Sequence, residues 1–138
     1  MTAINDIYMG AALDEMMQAK IVHMILTKRT EQALQTLSSL YHVKPPSIAV
    51  GTVKGKRRTA YAVYVPKERK IYAMNSDIFY NPFVILHEFY HHLRTQGGPQ
   101  RGTERHANLY AKGFIDSYRR VVSKLMTSSG ASGKPVED

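Results

Sequence analysis

The chain contains no cysteine, which excludes disulfide frameworks, thiolate metal sites and cysteine nucleophiles together. Any metal must therefore be held by histidine, aspartate or glutamate. Long apolar runs are missing too: stretches such as Phe83 to Leu86 fall far short of the roughly 20 residues that a membrane-spanning helix needs. No membrane span is expected. The first residues lack a basic start, and Asp6, Asp14 and Glu15 interrupt any stretch that would pass for a secretory signal, so a cytoplasmic protein is the expectation. Acidic residues are scarce beside basic ones, 11 against 19, leaving a formal net charge of +8, a balance that favours polyanions or acidic partners.

What is present suffices to build one core. At 138 residues the chain is too short for two full-sized domains, and 43% hydrophobic with 22% charged residues excludes a wholly disordered or collagen-like chain. A single domain is expected over residues 1–126. From Thr127 onward Ser, Gly, Ala and Pro dominate, and the segment 127–138 reads as a disordered tail.

The predicted class is α+β. From Ile4 to Tyr41 there is no proline, and Leu13, Met16, Met17, Ile21, Met24 and Ile25, then Ala33, Leu34, Leu37, Leu40 and Tyr41, recur at helical spacing. One long helix or two follow from this, with a lapse between Thr27 and Gln32 where Thr30 could cap the second. Pro45 and Pro46 end the helical region. Three segments of strand character come next, Ser47 to Val53, Arg58 to Val65 and Lys70 to Asn75, split by Lys54-Gly55-Lys56 and Pro66-Lys67-Glu68-Arg69. They predict a small antiparallel three-stranded meander. Asn81-Pro82 is a helix start, Gly97, Gly98 and Pro99 stop that helix after about Gln96, and a last helix begins near Thr103. Its stripe is Ala107, Tyr110, Ala111, Phe114, Ile115, Tyr118, Val121, Val122 and Leu125.

The helix that follows Asn81 carries His87-Glu88-Phe89-Tyr90-His91, an H-E-x-x-H sequence. At about 100° per residue, His87 and His91 stand roughly 40° apart and one turn above each other, so both imidazoles can reach one metal ion. Glu88 lies about 100° around from His87, where a carboxylate can act as general base without being a ligand. Catalytic zinc takes three protein ligands and keeps one position open, so a third must come from elsewhere. Glu104 is favoured: its i+3 and i+7 partners, Ala107 and Ala111, belong to the buried stripe, so it should point inward. The competing explanation is a buried ion pair with Arg94 or Arg101. His106 has suitable chemistry and ranks second, because it stands about 100° from Ala107. His92 falls at the far edge of the site arc and reads as a surface or outer-shell residue, while His23 and His42 have no partner at ligand spacing.

The stretch IYAMNSDIFYNPFVILHEFYHHLR followed by TERHANLYA resembles the zinc metallopeptidases of the zincin group, and most of all the minimal gluzincins. In those small intracellular peptidases a strand leads into the H-E-x-x-H helix and a later helix opens with a ligand glutamate. The likeness covers about residues 70 to 115. Their third-ligand pattern, E-x-x-A-N-x-aromatic-A, is matched by Glu104, Ala107, Asn108, Tyr110 and Ala111. The resemblance implies a peptidase with zinc on His87, His91 and Glu104, Glu88 as general base, and a peptide or protein substrate. The gap between His91 and Glu104 is short, and small zincins related to DNA-repair proteases use a histidine as third ligand, which keeps His106 in contention. A substrate strand is expected to add at Lys70 to Asn75, with Tyr110, Tyr90 or His92 as unranked candidates to stabilise the oxyanion.

Lys54, Lys56, Arg57, Arg58, Lys67, Arg69 and Lys70 against Glu68 leave +6 over residues 54–70. Such a patch could hold nucleic acid or an acidic protein, which defines the alternative: a non-catalytic module on the same fold. In that case a fourth protein ligand, His106 or His92, would close the metal site.

Overall fold

The computed structural model describes residues 13–53, 61–97 and 103–133, with side chains as far as Thr127. The N-terminal helical region is two helices, α1 (Glu15–Leu26) and α2 (Thr30–Tyr41). Asp14 caps α1 by accepting a 2.7 Å hydrogen bond from the Met17 amide. The break falls at Thr27 to Arg29, where Lys28 adopts φ 69°. Thr30 does not cap α2: it is the first helical residue, and its buried hydroxyl donates instead to the Phe79 carbonyl at 2.9 Å. The contact ties α2 to the chain entering the H-E-x-x-H helix.

The strands are β1 (Ser47–Val50), β2 (Ala62–Val65) and β3 (Lys70–Ala73), in the order β1-β3-β2. The sheet is mixed and not the expected antiparallel meander: β2 and β3 form a hairpin, whereas β1 pairs parallel to β3. Pro66 to Arg69 is a tight turn, closed by Glu68 N–H to Val65 and Arg69 N–H to Pro66, and the other expected connection, Lys54-Gly55-Lys56, lies outside the described residues. Parallel pairing needs a crossover, here residues 51–69, which contain β2 itself. The central place goes to the strand with the most buried face, Ile71 and Ala73 being fully covered. The segment expected to offer a free edge, Lys70 to Asn75, is thus paired on both sides along β3.

A one-turn helix not expected from the sequence, α3 (Ser76–Phe79), connects the sheet to α4 (Pro82–Thr95); Asn75 caps α3 through the Ile78 amide at 3.0 Å. Asn81 caps α4, accepting from the Val84 amide at 3.1 Å with Pro82 at the first turn, and the helix stops at Gln96 and Gly97, whose φ of 88° suits glycine. Asn81→Ala should cost about 1 kcal/mol, measured as a shift in the denaturation midpoint at unchanged slope. The last helix, α5 (Glu104–Gly133), continues past the expected boundary at residue 126.

Helices α1 and α4 pack on α5, and one apolar cluster joins Ile21, Ile25, Leu34, Leu37, Ile71, Ile85, Leu86, Phe89 and Phe114. Leu125, assigned to the buried stripe, is exposed. Polar pairs fasten α1 to α5: Glu15 with Arg120 and Lys124, and Gln18 accepting from the Ser117 hydroxyl at 2.5 Å. Among the described residues no helix is long and apolar enough to cross a membrane.

Candidate metal centre

Residues 83, 87 and 91 form one row of α4, so the two histidines stand above each other with ring centroids 5.0 Å apart. Helix α5 crosses nearby. Its buried Ala107 and Ala111 have the smallest side chains that still pack, which lets α5 approach α4 closely and carries Glu104 over the histidine row. Glu104 Oε1 lies 2.6 Å from His87 Nε2, and Oε2 lies 3.2 Å from His91 Nε2. The helical azimuth of Glu104 is as expected, but its burial is not: the side chain is 74% exposed, because the first turn of α5 overhangs the end of the packed interface. Its partners are the two histidines and not Arg94; Arg101 lies outside the described residues.

His87 Nδ1 is 2.8 Å from Asn108 Oδ1. The amide oxygen can only accept, so Nδ1 carries the hydrogen and Nε2 is the nitrogen turned toward the site. Asn108 sits four residues after Glu104, one turn along the same face. Its part in orienting His87 was not inferred from the sequence, although the i+4 spacing was there to suggest it.

His87, His91 and Glu104 offer three ligand atoms within 4.8 Å of one another. Donors around a tetrahedral zinc are about 3.3 Å apart at ordinary bond lengths; the His91–Glu104 separation of 3.2 Å is close to that, and the His87–Glu104 separation of 2.6 Å is a shorter, direct hydrogen bond. Two imidazole nitrogens and one carboxylate form a donor set whose chemistry suits zinc, and the three residues could hold such an ion. His106 is not in the cluster: its backbone N–H donates to the Thr103 hydroxyl at the start of α5, and its ring bonds the same hydroxyl.

Glu88 is 8% exposed and its carboxylate lies 3.9 Å from His87 Nε2. Burial, then the negative charge of Glu104, push Glu88 up to about 8, against a backbone hydrogen bond from Tyr64. A cation between the histidines acts in the opposite direction. Burial likewise lowers His91, partly offset by Glu104.

A cleft of about 340 Å³ opens beside these groups, lined by Tyr61, Ala62, Phe83, Val84, His87, Glu88, Glu104 and Asn108. The strand on this cleft is β2, preceded by Tyr61. Tyr110, Tyr90 and His92, named as oxyanion stabilisers, are not among the lining residues. Tyr110 shares a 2.8 Å hydrogen bond with the Tyr41 hydroxyl and packs with tilted rings against Tyr90 and Phe114. His92 is neither a surface residue nor at the metal cluster; it is fully buried against Tyr64 and Lys44. Of the basic residues, Lys54, Lys56, Arg57 and Arg58 lie outside the described residues, and Lys70 sits 4.9 Å over the Tyr72 ring. No family model matches this chain, and neither a curated protein nor a solved structure matches it.

Proposed function

We propose that the protein is a zinc-dependent metallopeptidase of the zincin kind, most like the minimal gluzincins, that hydrolyses peptide bonds in a peptide or protein substrate. The observation that carries this reading is the convergence of His87, His91 and Glu104 from two helices, with the Glu88 carboxylate beside them and a cleft in front. His87, His91 and Glu104 would hold zinc, which supplies a Lewis acid and lowers the pKa of a bound water toward about 7. Glu88 takes the proton as water attacks the scissile carbonyl and hands it to the departing amine. Asn108 keeps His87 in one tautomer. Tyr61 is exposed at the lip of the cleft, and a substrate strand would run along the outer edge of β2, the strand on the cleft.

Among the described residues three ligand groups converge and no fourth joins them, so nothing there favours the closed site of a non-catalytic module. The test is to strip metal with a chelator, restore zinc by titration, and follow cleavage of an unfolded protein. Binding of one zinc per chain, with cleavage that stops on chelation and returns with zinc, is the expected result. Failure to bind zinc at micromolar concentrations would overturn the metal centre, and full loading without cleavage across a diverse peptide library would overturn the peptidase.

A further inference from the structure

The cleft at the metal cluster does not end at His87. Helices α4 and α5 run past each other in opposite senses: Glu104 faces His87 and His91, Asn108 faces His87, and one turn further along α5 Lys112 shares a second hollow with Phe83. That hollow, of about 540 Å³, lies where the start of α4, the middle of α5 and the end of α1 meet. Phe83 lines both the hollow and the cleft, so the two are continuous across one side chain. From Asn108 in the cleft to Ile115 in the hollow α5 rises about 10 Å, a span that an extended peptide covers in about three residues.

The hollow has an apolar floor and a charged rim. Val22 is buried and Ile115 half-buried, both packed into the core, whereas Leu26 at 47% and Phe83 at 38% exposure leave large apolar surfaces open. Covering such surface is favourable in proportion to its area. At the rim Lys112 and Asp116 pair at 2.8 Å, and Arg119, which lines the same hollow, leaves the three charges at a sum of +1. An acidic group beside an apolar one therefore complements this surface, and a basic group does not.

We propose that the hollow is an exosite for the substrate: it takes a large aliphatic or aromatic side chain about three or four residues from the scissile bond, and its rim favours an acidic neighbour over a basic one. The proposal rests on the peptidase reading above. A chain that lies in the cleft and continues along the seam of α4 and α5 meets Phe83 and then Leu26, so the occupant is an extended stretch of a protein and not a di- or tripeptide.

The experiment offers a library of random dodecapeptides to the zinc-loaded full chain and locates each cleaved bond by mass spectrometry. Leu, Ile, Met and Phe should be enriched about tenfold over Ala and Ser three or four residues to one side of the bond, the gain from burying part of such a side chain. Asp and Glu should outnumber Lys and Arg next to them. Leu26→Lys, at an exposed position, should erase the apolar enrichment, and Arg119→Glu should reverse the charge preference. An even distribution around the cut, or an enrichment that survives both substitutions, would overturn the exosite and leave the peptidase standing. A second readout needs no cleavage. A Gly-Ser dodecapeptide with one Leu-Asp-Leu block, titrated into the ¹⁵N-labelled chain, should shift the amides of Leu26, Ile115 and Arg119, and its Ala-Lys-Ala counterpart should not. Those shifts in a protein that cuts nothing would remove the peptidase and keep the hollow as a peptide site. Shifts that follow protein concentration alone would give the hollow to a second copy of this chain and overturn the proposal.

Discussion

Glu88→Gln should bind zinc as tightly as the parent protein and hydrolyse peptides about 10² to 10⁴ times more slowly, the usual contribution of a positioned general base. Glutamine preserves the shape of the side chain and lacks only the capacity to take a proton. The loss corresponds to about 3 to 5.5 kcal/mol of transition-state stabilisation and should appear in kcat with KM little changed. The same variant has a second signature in metal-free protein. Burial raises Glu88 to about 8 in the folded chain, above its unfolded value, so its contribution to stability is present in acid and is lost as pH rises through about 8. Metal-free Glu88→Gln should therefore gain stability relative to the parent as pH is raised, as read by denaturation at a series of pH values. Undiminished hydrolysis by the variant would sink the assignment of the base.

The second large effect separates Glu104 from His106. Glu104 reaches both histidines with its two oxygens, whereas His106 bonds Thr103 at the outer side of the same turn. Glu104→Ala should weaken zinc binding more than about 100-fold, beyond what loss of an outer partner costs, and abolish turnover. His106→Ala should leave zinc affinity within about twofold and change stability by about 0.5 kcal/mol, the range for surface positions. Competition titrations against a chromophoric chelator measure both. A larger loss from His106→Ala would transfer the third ligand to the histidine and, with it, the likeness to the other small zincins.

What could be read from the sequence was what local chemistry decides. Asn81-Pro82 and Gly97 bound α4 as expected because caps and stops act within a few residues. The convergence of Glu104 on His87 and His91 followed from azimuth, since Ala107 and Ala111 fix which face of α5 meets α4. Its exposure did not follow, because a helical wheel carries no information on where the packed interface ends. Sheet order was misread for a related reason: β1 and β3 are separated by residues 51–69, and nothing in either segment records which edge the other will take. His92 looked peripheral on the wheel; its partners Tyr64 and Lys44 are 28 and 48 residues away. The one-turn α3 was missed although Asn75 announces it, the segment being too short for periodicity to register.

The fastening of α1 to α5 spans most of the chain, Gln18 to Ser117 being 99 residues apart and Glu15 to Arg120 105. Contacts so distant in sequence form only after a large loop has closed, and α5, which they hold, is also the helix that delivers Glu104. During synthesis the paired histidines emerge first, as an open half-site. His87, His91 and Glu104 can therefore come together only once the last helix has left the ribosome and docked on the first, so the timing of assembly itself would withhold the proposed metal centre, and the hydrolysis proposed for it, until the fold is closed.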